Sequence, residues 1–416
     1  MGRRCLTTEK LGVAPSMKRG QRGGRPEPLS SGMIAPVPRR PGSSTSRVAR
    51  LAVVALLLGC DSATDGSAQT PNGELTTEVV ATGLDTVWEL VWGPDGFIWM
   101  TERGGRVSRV NAQTGVVTPV GQIAVGEIGE GGLMGLALHP DFATQPWVYL
   151  AHTYNGPSGV RNRIVRVRFD GTSLGAPEVL LSDIPGSSIH NGSRLAIGPD
   201  RLLYVTTGDA SDGPIAQNRD ALAGKVLRLT LDGQPAAGNP FNTRMYSYGH
   251  RNPQGMVFAP DGSLYVTEHG PSDNDEVNRI EAGRNYGWPT VHGRCDGDIG
   301  MGEISFCSAN QIAEPIAIWT PTIAPAGLAY YDANLIPAFR GSLLFGTLKD
   351  ETLYRLALSS DGRSVTSTQK LFDGDFGRLR AVLVAPDGAI YLGTSNRDGR
   401  GSPASTDDRI IRVRPR

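Results

Sequence analysis

The chain has 416 residues, 39% hydrophobic, 6% aromatic and 20% charged, with 54 Gly and 29 Pro; such a supply of turn formers suits many short strands and argues against long helices. The formal net charge is zero, but residues 1–59 hold eleven Lys/Arg and two Glu, which leaves 30 basic and 39 acidic residues in 60–416. That acidic remainder excludes nucleic-acid binding, which depends on neutralising phosphates.

Residues 1–50 are rich in Arg, Gly, Pro and Ser and carry no apolar period. An apolar run, 51–58, follows Arg39, Arg40, Arg47 and Arg50 and ends in Leu57-Leu58-Gly59-Cys60. The run is too short to span a bilayer and suits a signal-peptide core. Its end resembles the bacterial lipobox, so residues 1–59 are read as leader and signal peptide, with a start at Met33 giving a leader of 27 residues. Cys60 is then the lipidated mature N-terminus, residues 60–73 a polar tether, and the expected location the periplasm or cell envelope, with the lipid as the membrane contact. Of the remaining cysteines, Cys5 lies in the leader. Cys295 and Cys307 sit twelve apart in a Gly-rich loop of an exported chain, where a disulfide is the default expectation.

From residue 74 onward one pattern repeats. Apolar-x-Arg-apolar occurs at Arg109, Arg166, Arg228, Arg279, Arg355 and Arg412, at steps of 57, 62, 51, 76 and 57 residues. Most copies follow a Pro-Asp-Gly-type turn and an apolar-aromatic run, as in Pro94-Asp95-Gly96 before Ile98-Trp99 and Pro260-Asp261-Gly262 before Leu264-Tyr265. Pro presets φ, Asp bonds its own backbone and Gly accepts positive φ, so each turn joins two strands. The Arg-bearing strand is expected next, antiparallel, with its Arg pointing outward. A single such sheet cannot bury both faces; six stacked radially can. The sequence therefore predicts an all-β fold, a six-bladed β-propeller of about four antiparallel strands per blade, spanning 74–416. A strand near Leu75–Thr82 should pair with the last blade and close the ring. No segment shows a helix-length amphipathic period, and the two long insertions place loops on one face.

Several Gly- and Asn-rich segments fall in those loops: Gly129-Glu130-Gly131-Gly132-Leu133-Met134-Gly135, Ile189-His190-Asn191-Gly192, Gly249-His250-Arg251-Asn252-Pro253-Gln254-Gly255, the run Glu268 to Asn278, and Asn285-Tyr286-Gly287-Trp288-Pro289. The first is no P-loop, since no Gly-Lys-Ser/Thr follows. In this order the motifs resemble the soluble pyrroloquinoline-quinone (PQQ)-dependent aldose sugar dehydrogenases, the glucose/sorbosone dehydrogenase family, over roughly residues 75–416. The resemblance implies a propeller that oxidises the anomeric carbon of an aldose to a lactone, with PQQ and calcium as cofactors and a quinone or cytochrome as acceptor. It implies that His190 is the general base, a residue type whose pKa lies near working pH. Arg251 and Asn252 would lie beside the reacting quinone oxygen, with Gln254 supporting them. Lys349, Arg378 and Arg380 would clamp the three carboxylates of PQQ, with Glu130 and Thr322 as further contacts. The carbonyls of Gly270 and Pro271 would hold calcium at the quinone, and Glu276 with the Tyr286 carbonyl a second, structural calcium.

The chain departs from the glucose-oxidising pattern at Ile189, Ala210 and Thr320, at Glu130 and His269, where that pattern has Gln, and at Ala381, where Asp is usual. These changes leave the expected chemistry and point to an open, permissive sugar site. The alternatives are a non-catalytic propeller that binds glycans or a partner, since the fold hosts many functions, and a calcium-dependent lactonase. A binding module has no need to keep His190, Arg251 and the Lys349/Arg378/Arg380 clamp together. A lactonase would need several side-chain carboxylates on its metal.

Overall fold

The computed structural model describes residues 75–416; the leader, Cys60 and the tether lie outside the described residues. Six four-stranded antiparallel sheets form the blades of a ring. Blade one comprises β2 (Val87–Trp92), β3 (Ile98–Glu102), β4 (Arg106–Val110) and β5 (Val117–Gln122). Blade two comprises β6 (Leu133–Leu138), β7 (Trp147–Gly156), β8 (Gly159–Arg168) and β9 (Glu178–Pro185). Blade three has β10 (Gly192–Ile197), β11 (Leu203–Thr207), β12 (Lys225–Leu229) and β13 (Met245–Tyr248). Blade four has β14 (Pro253–Phe258), β15 (Leu264–Glu268), β16 (Asp275–Ile280) and β17 (Ala317–Trp319). Blade five has β18 (Pro325–Tyr331), β19 (Ser342–Thr347), β20 (Leu353–Leu358) and β21 (Val365–Leu371).

Blade six takes β22 (Leu379–Val384), β23 (Ile390–Thr394) and β24 (Ile410–Pro415) from the end of the chain and its outermost strand, β1 (Leu75–Ala81), from the beginning. The register Leu75↔Pro415 to Ala81↔Ile410 makes this the closure expected from the sequence. It leaves neither end of the described residues as an open inter-blade edge.

The first strand of each blade faces the central channel, where β2, β6, β10, β14, β18 and β22 pack in a ring. Six apolar clusters fill the interfaces between neighbouring blades. Trp99, Val107 and Leu136 meet between blades one and two, and Phe345, Tyr354 and Tyr265 between blades four and five. Each sheet thus buries both faces against its neighbours, which is why second strands such as β3, β11, β15 and β23 are buried throughout rather than alternating.

The repeated Arg departs from the expected outward solvent position. Arg109 lies opposite Trp99 and Arg228 opposite Tyr204 in the sheet register. Asp95 of the preceding turn receives both Trp99 Nε1 and Arg109 Nη1 at 3.2 Å. Asp200 likewise receives Tyr204 Oη at 3.0 Å and Arg228 Nε at 2.9 Å. In these two copies a turn carboxylate is tied to an aromatic ring and a guanidinium, and those two Arg side chains are each only 17% exposed. A second difference is α1 (Met301–Asn310), a short helix in the long insertion of blade four. It buries only Glu303 and Cys307, so it lacks the apolar stripe by which a helix shows in sequence. Cys307 is bonded to Cys295, as expected.

Candidate functional site

One consequence of the blade topology decides where chemistry can sit. The segments before each first strand and those between each second and third strand reach the same face of the ring. Glu130, His190, Arg251, Asn252, Thr322 and Arg378 precede or begin first strands. Gly270, Pro271 and Lys349 follow second strands. Residues spread over more than half the chain are therefore delivered to one face.

His190 lies in the left-handed region at φ 60°. Gly208 makes this possible: a Cβ there would sit 2.0 Å from the His190 carbonyl oxygen. The close approach places the imidazole against Asp209, whose Oδ1 lies 2.8 Å from Nδ1. Asp209 is buried and fully engaged, taking Trp288 Nε1 at 2.8 Å on Oδ2 and the Ser211 N–H at 2.8 Å on Oδ1. The carboxylate fixes the proton on Nδ1, and Nε2 is left without a protein partner among the described residues. The His190 side chain keeps 13% exposure, enough for a ligand to reach Nε2.

Arg251 adjoins this pair. Its carbonyl accepts the Asp209 N–H at 2.8 Å, and its guanidinium carbon lies 5.2 Å from the centroid of Trp288. Nη1 donates to the His269 carbonyl at 3.1 Å, while Nε is buried with no partner. Burial lowers the Arg251 pKa against the pull of Asp209, Glu268, Asp275 and Glu130. Asn252 accepts from Gly192 N at 3.2 Å and from Gln254 Nε2 at 3.1 Å, so Gln254 supports it as expected.

The expected clamp also converges. Arg378 and Arg380 are buried on either side of Asp398, whose Oδ2 accepts Arg378 Nε at 2.9 Å and lies 3.5 Å from Arg380 Nη2. Burial lowers the Arg380 pKa to about 10. Burial would raise that of Asp398, but the two guanidinium groups hold it down. Arg103 reaches the same residue, at the Asp398 carbonyl. Glu130 receives Arg400 Nη1 at 2.7 Å. Burial acts to raise its pKa, and His269, Arg400 and Arg380 outweigh it. Lys349 is exposed and donates to Thr322 Oγ1 at 2.7 Å, which joins two more expected contacts. Around Glu127, Glu130 and Asp398 stand Arg103, Arg378, Arg380 and Arg400, so cations exceed carboxylates in this cluster. A surplus of fixed cations and an unpaired buried guanidinium nitrogen fit a ligand bearing several carboxylates.

The four expected metal residues, Gly270, Pro271, Glu276 and Tyr286, line one small cavity with Arg251, Glu268 and Trp288. Gly270 is required there, since a Cβ would lie 1.8 Å from the Asp273 carbonyl oxygen. Asp275 is no solvated acid: it is buried, and its oxygens take the backbone N–H groups of Gly270, Ile323 and Ala324 at 2.8, 2.7 and 2.6 Å. Glu276 accepts from Asn278 Nδ2 and Gly293 N, and burial, then Glu268, pushes its pKa up to about 8. Carbonyl oxygens beside two crowded carboxylates fit a hard cation, which would relieve that repulsion.

The departures sit around these groups. Ala210 shares the His190 turn at φ 55°, and Thr320 bonds Asn274 at 2.8 Å. Sequence reasoning missed Asp209, Asp398, Arg103 and Arg400. Asp209 stood beside the noted Ala210, but nothing in the order of residues links it to His190. Trp288 was noted only as part of its motif.

The comparisons agree with this geometry. The family model described as Glucose / Sorbosone dehydrogenase matches residues 84–411. Quinoprotein glucose dehydrogenase B of Acinetobacter calcoaceticus is 36% identical over 402 residues, covering 75% of this chain and 84% of that relative. Aldose sugar dehydrogenase YliI of Escherichia coli is 30% identical, covering 82% and 93%. The structure of the PQQ-bound form of the aldose sugar dehydrogenase from Streptomyces coelicolor superposes with a TM-score of 0.72 at 39% identity, covering 82% of this chain and 99% of that one. Six blades, a carboxylate-oriented histidine and a cluster of cations on one face thus coincide with a match over most of the chain, and the chain belongs to the glucose/sorbosone dehydrogenase family.

Proposed function

We propose that this chain is a PQQ-dependent aldose sugar dehydrogenase that converts the anomeric CH–OH of an aldose to the lactone and passes the electrons to a quinone or cytochrome. The observation that carries the reading is the convergence of His190–Asp209, Arg251 and the Arg378/Arg380/Lys349 cations on one face. When bound, the quinone supplies a two-electron acceptor for hydride from the sugar C1. His190 Nε2 takes the anomeric hydroxyl proton, and Asp209 holds the imidazole and stabilises its charged form. The Arg251 guanidinium balances negative charge that develops next to it, in a partly buried setting where a fixed donor is worth more than in water. Arg378, Arg380 and Lys349 hold carboxylates of the cofactor. Calcium, when bound, would be held at the quinone by the Gly270 and Pro271 carbonyls and would supply Lewis-acid polarisation there, with a second, structural calcium held by Glu276 and the Tyr286 carbonyl.

The small side chains of Ala210 and Thr320 support a permissive sugar site. The lipobox-like Cys60 supports export and a lipid anchor at the cell envelope.

The test is reconstitution. Purified apo-protein is given PQQ and calcium, and dye reduction is followed with a panel of aldoses beside His190→Ala. Sugar-dependent reduction in the parent and its loss in the variant are expected. Failure to take up the cofactor would reject the reading.

A further inference from the structure

The buried end of the Gly249–Gly255 segment holds a constellation that the proposed reaction does not use. Ser247 Oγ lies 2.8 Å from His250 Nε2, and His250 Nδ1 lies 2.9 Å from Glu268 Oε2. The arrangement has the order of a Ser-His-Glu hydrolase triad, but Ser247 and His250 are both 0% exposed. No substrate reaches that hydroxyl, so nucleophilic catalysis is excluded and the buried polar groups need another account.

The hydrogen bonds themselves supply one. The other oxygen of Glu268 accepts the Arg251 backbone N–H. The Arg251 carbonyl accepts the Asp209 N–H at 2.8 Å, and the Asp209 carboxylate holds His190 Nδ1 at 2.8 Å. A single chain of contacts thus runs from His250 through Glu268, Arg251 and Asp209 to His190. His250 is itself fixed, with its N–H on the Gly224 carbonyl at 3.2 Å and its ring stacked on Tyr286 at 4.7 Å. The Arg251 guanidinium, by contrast, has one protein hydrogen bond and an unpaired Nε. Its placement depends on its main chain more than on its side-chain contacts.

We infer that His250 and Glu268 are a positioning couple that holds the Arg251 main chain and so sets the separation between the Arg251 guanidinium and the His190 imidazole. The inference rests on the proposed dehydrogenase reading. Neither residue touches substrate. A shift of about 1 Å between two acting groups is enough to cost about a hundredfold in rate.

Three variants separate positioning from stability. His250→Asn places an amide N–H where Nδ1 stood and keeps the donor to Glu268. His250→Gln places the amide where Nε2 stood and keeps only the Ser247 contact. His250→Phe keeps the stack on Tyr286 and no hydrogen bond. With PQQ and calcium loaded, His250→Gln and His250→Phe are expected to lose about 10–100-fold in kcat, with the sugar KM within about twofold, while His250→Asn stays within about threefold of the parent. The second readout is the PQQ dissociation constant of the apo-protein, from quenching of tryptophan fluorescence. It should rise in the Gln and Phe variants and not in the Asn variant.

Equal losses in Asn and Gln, or a Gln variant with parental kcat and cofactor affinity, would overturn the inference. Should the Phe variant fail to fold, the Asn and Gln pair, compared at measured Tm, decides. If the parent binds PQQ but oxidises no sugar, the proposed function fails and the fluorescence comparison still judges the couple.

Discussion

Replacing Asp209 with Asn tests the proposed base through its partner and leaves the imidazole in place. The carboxylate lies 2.8 Å from His190 Nδ1 and its side chain is 2% exposed, so the contact is made almost without competing water. An amide at that position can donate to Nδ1, which moves the ring proton to Nε2 and removes the lone pair that must accept the sugar proton. The Trp288 Nε1 donor holds the amide oxygen at the Oδ2 position, which turns the amide nitrogen toward Nδ1 and gives up the Ser211 N–H contact that Oδ1 now accepts. A positioned general base contributes roughly 10²–10⁴-fold. Asp209→Asn should therefore lower the rate of cofactor reduction by about that factor, equivalent to about 3–5 kcal/mol of barrier. The assay is stopped-flow absorbance of the PQQ-loaded enzyme mixed with saturating aldose. His190→Ala should fall as far, and the double variant no further, because both single changes remove the same function. A rate within threefold of the parent, or losses that multiply in the double variant, would refute the assignment.

Arg380→Ala should weaken PQQ binding about 10–100-fold, as expected for one charge-assisted contact, with calorimetric titration as the check. Asp398→Asn leaves Arg378 and Arg380 buried without their shared carboxylate, so the apo-protein should lose up to about 3–5 kcal/mol in urea unfolding. Glu276 has a folded pKa near 8, above its unfolded value, so its contribution is greatest below about pH 4.5 and falls as pH rises to about 8. Relative to Glu276→Gln, the metal-free parent should lose Tm across that window, and added calcium should restore more Tm at pH 8 than at pH 5. Deleting 75–81 removes the outer strand of blade six, and the shortened chain should aggregate on refolding, as judged by size-exclusion chromatography.

Much of the fold was legible because a repeat makes its own statistics. Six apolar-x-Arg-apolar strands, most of them after a turn of the Pro-Asp-Gly kind, state the blade count, and the leftover strand at Leu75 has no partner except the last blade. What the pattern hid was the second half of each interaction. Arg109 reads as a surface charge at period 2, yet it is tied to Asp95 and Trp99. The helix α1 escaped notice because it has no apolar stripe to betray it. In the site, His190, Arg251 and the clamp were legible through motif order. Asp209 and Asp398 were not, because each acts on a residue from a different segment.

The amino-acid order by itself determined which residues are short turns, which strands are buried and how many times the unit repeats, since those depend on neighbours within a few positions. It also determined the inventory of chemistry, one histidine, one cation cluster and one Gly-Pro carbonyl pair. Only the closed ring decided that these act together. Stacking six twisted sheets sends every first-strand entry and every second-to-third-strand loop to one face, and burial there turns separate side chains into a carboxylate-held imidazole and a cluster in which cations outnumber carboxylates. Distances of 2.8 Å between residues far apart in the chain are set by that packing, and no local sequence rule contains them.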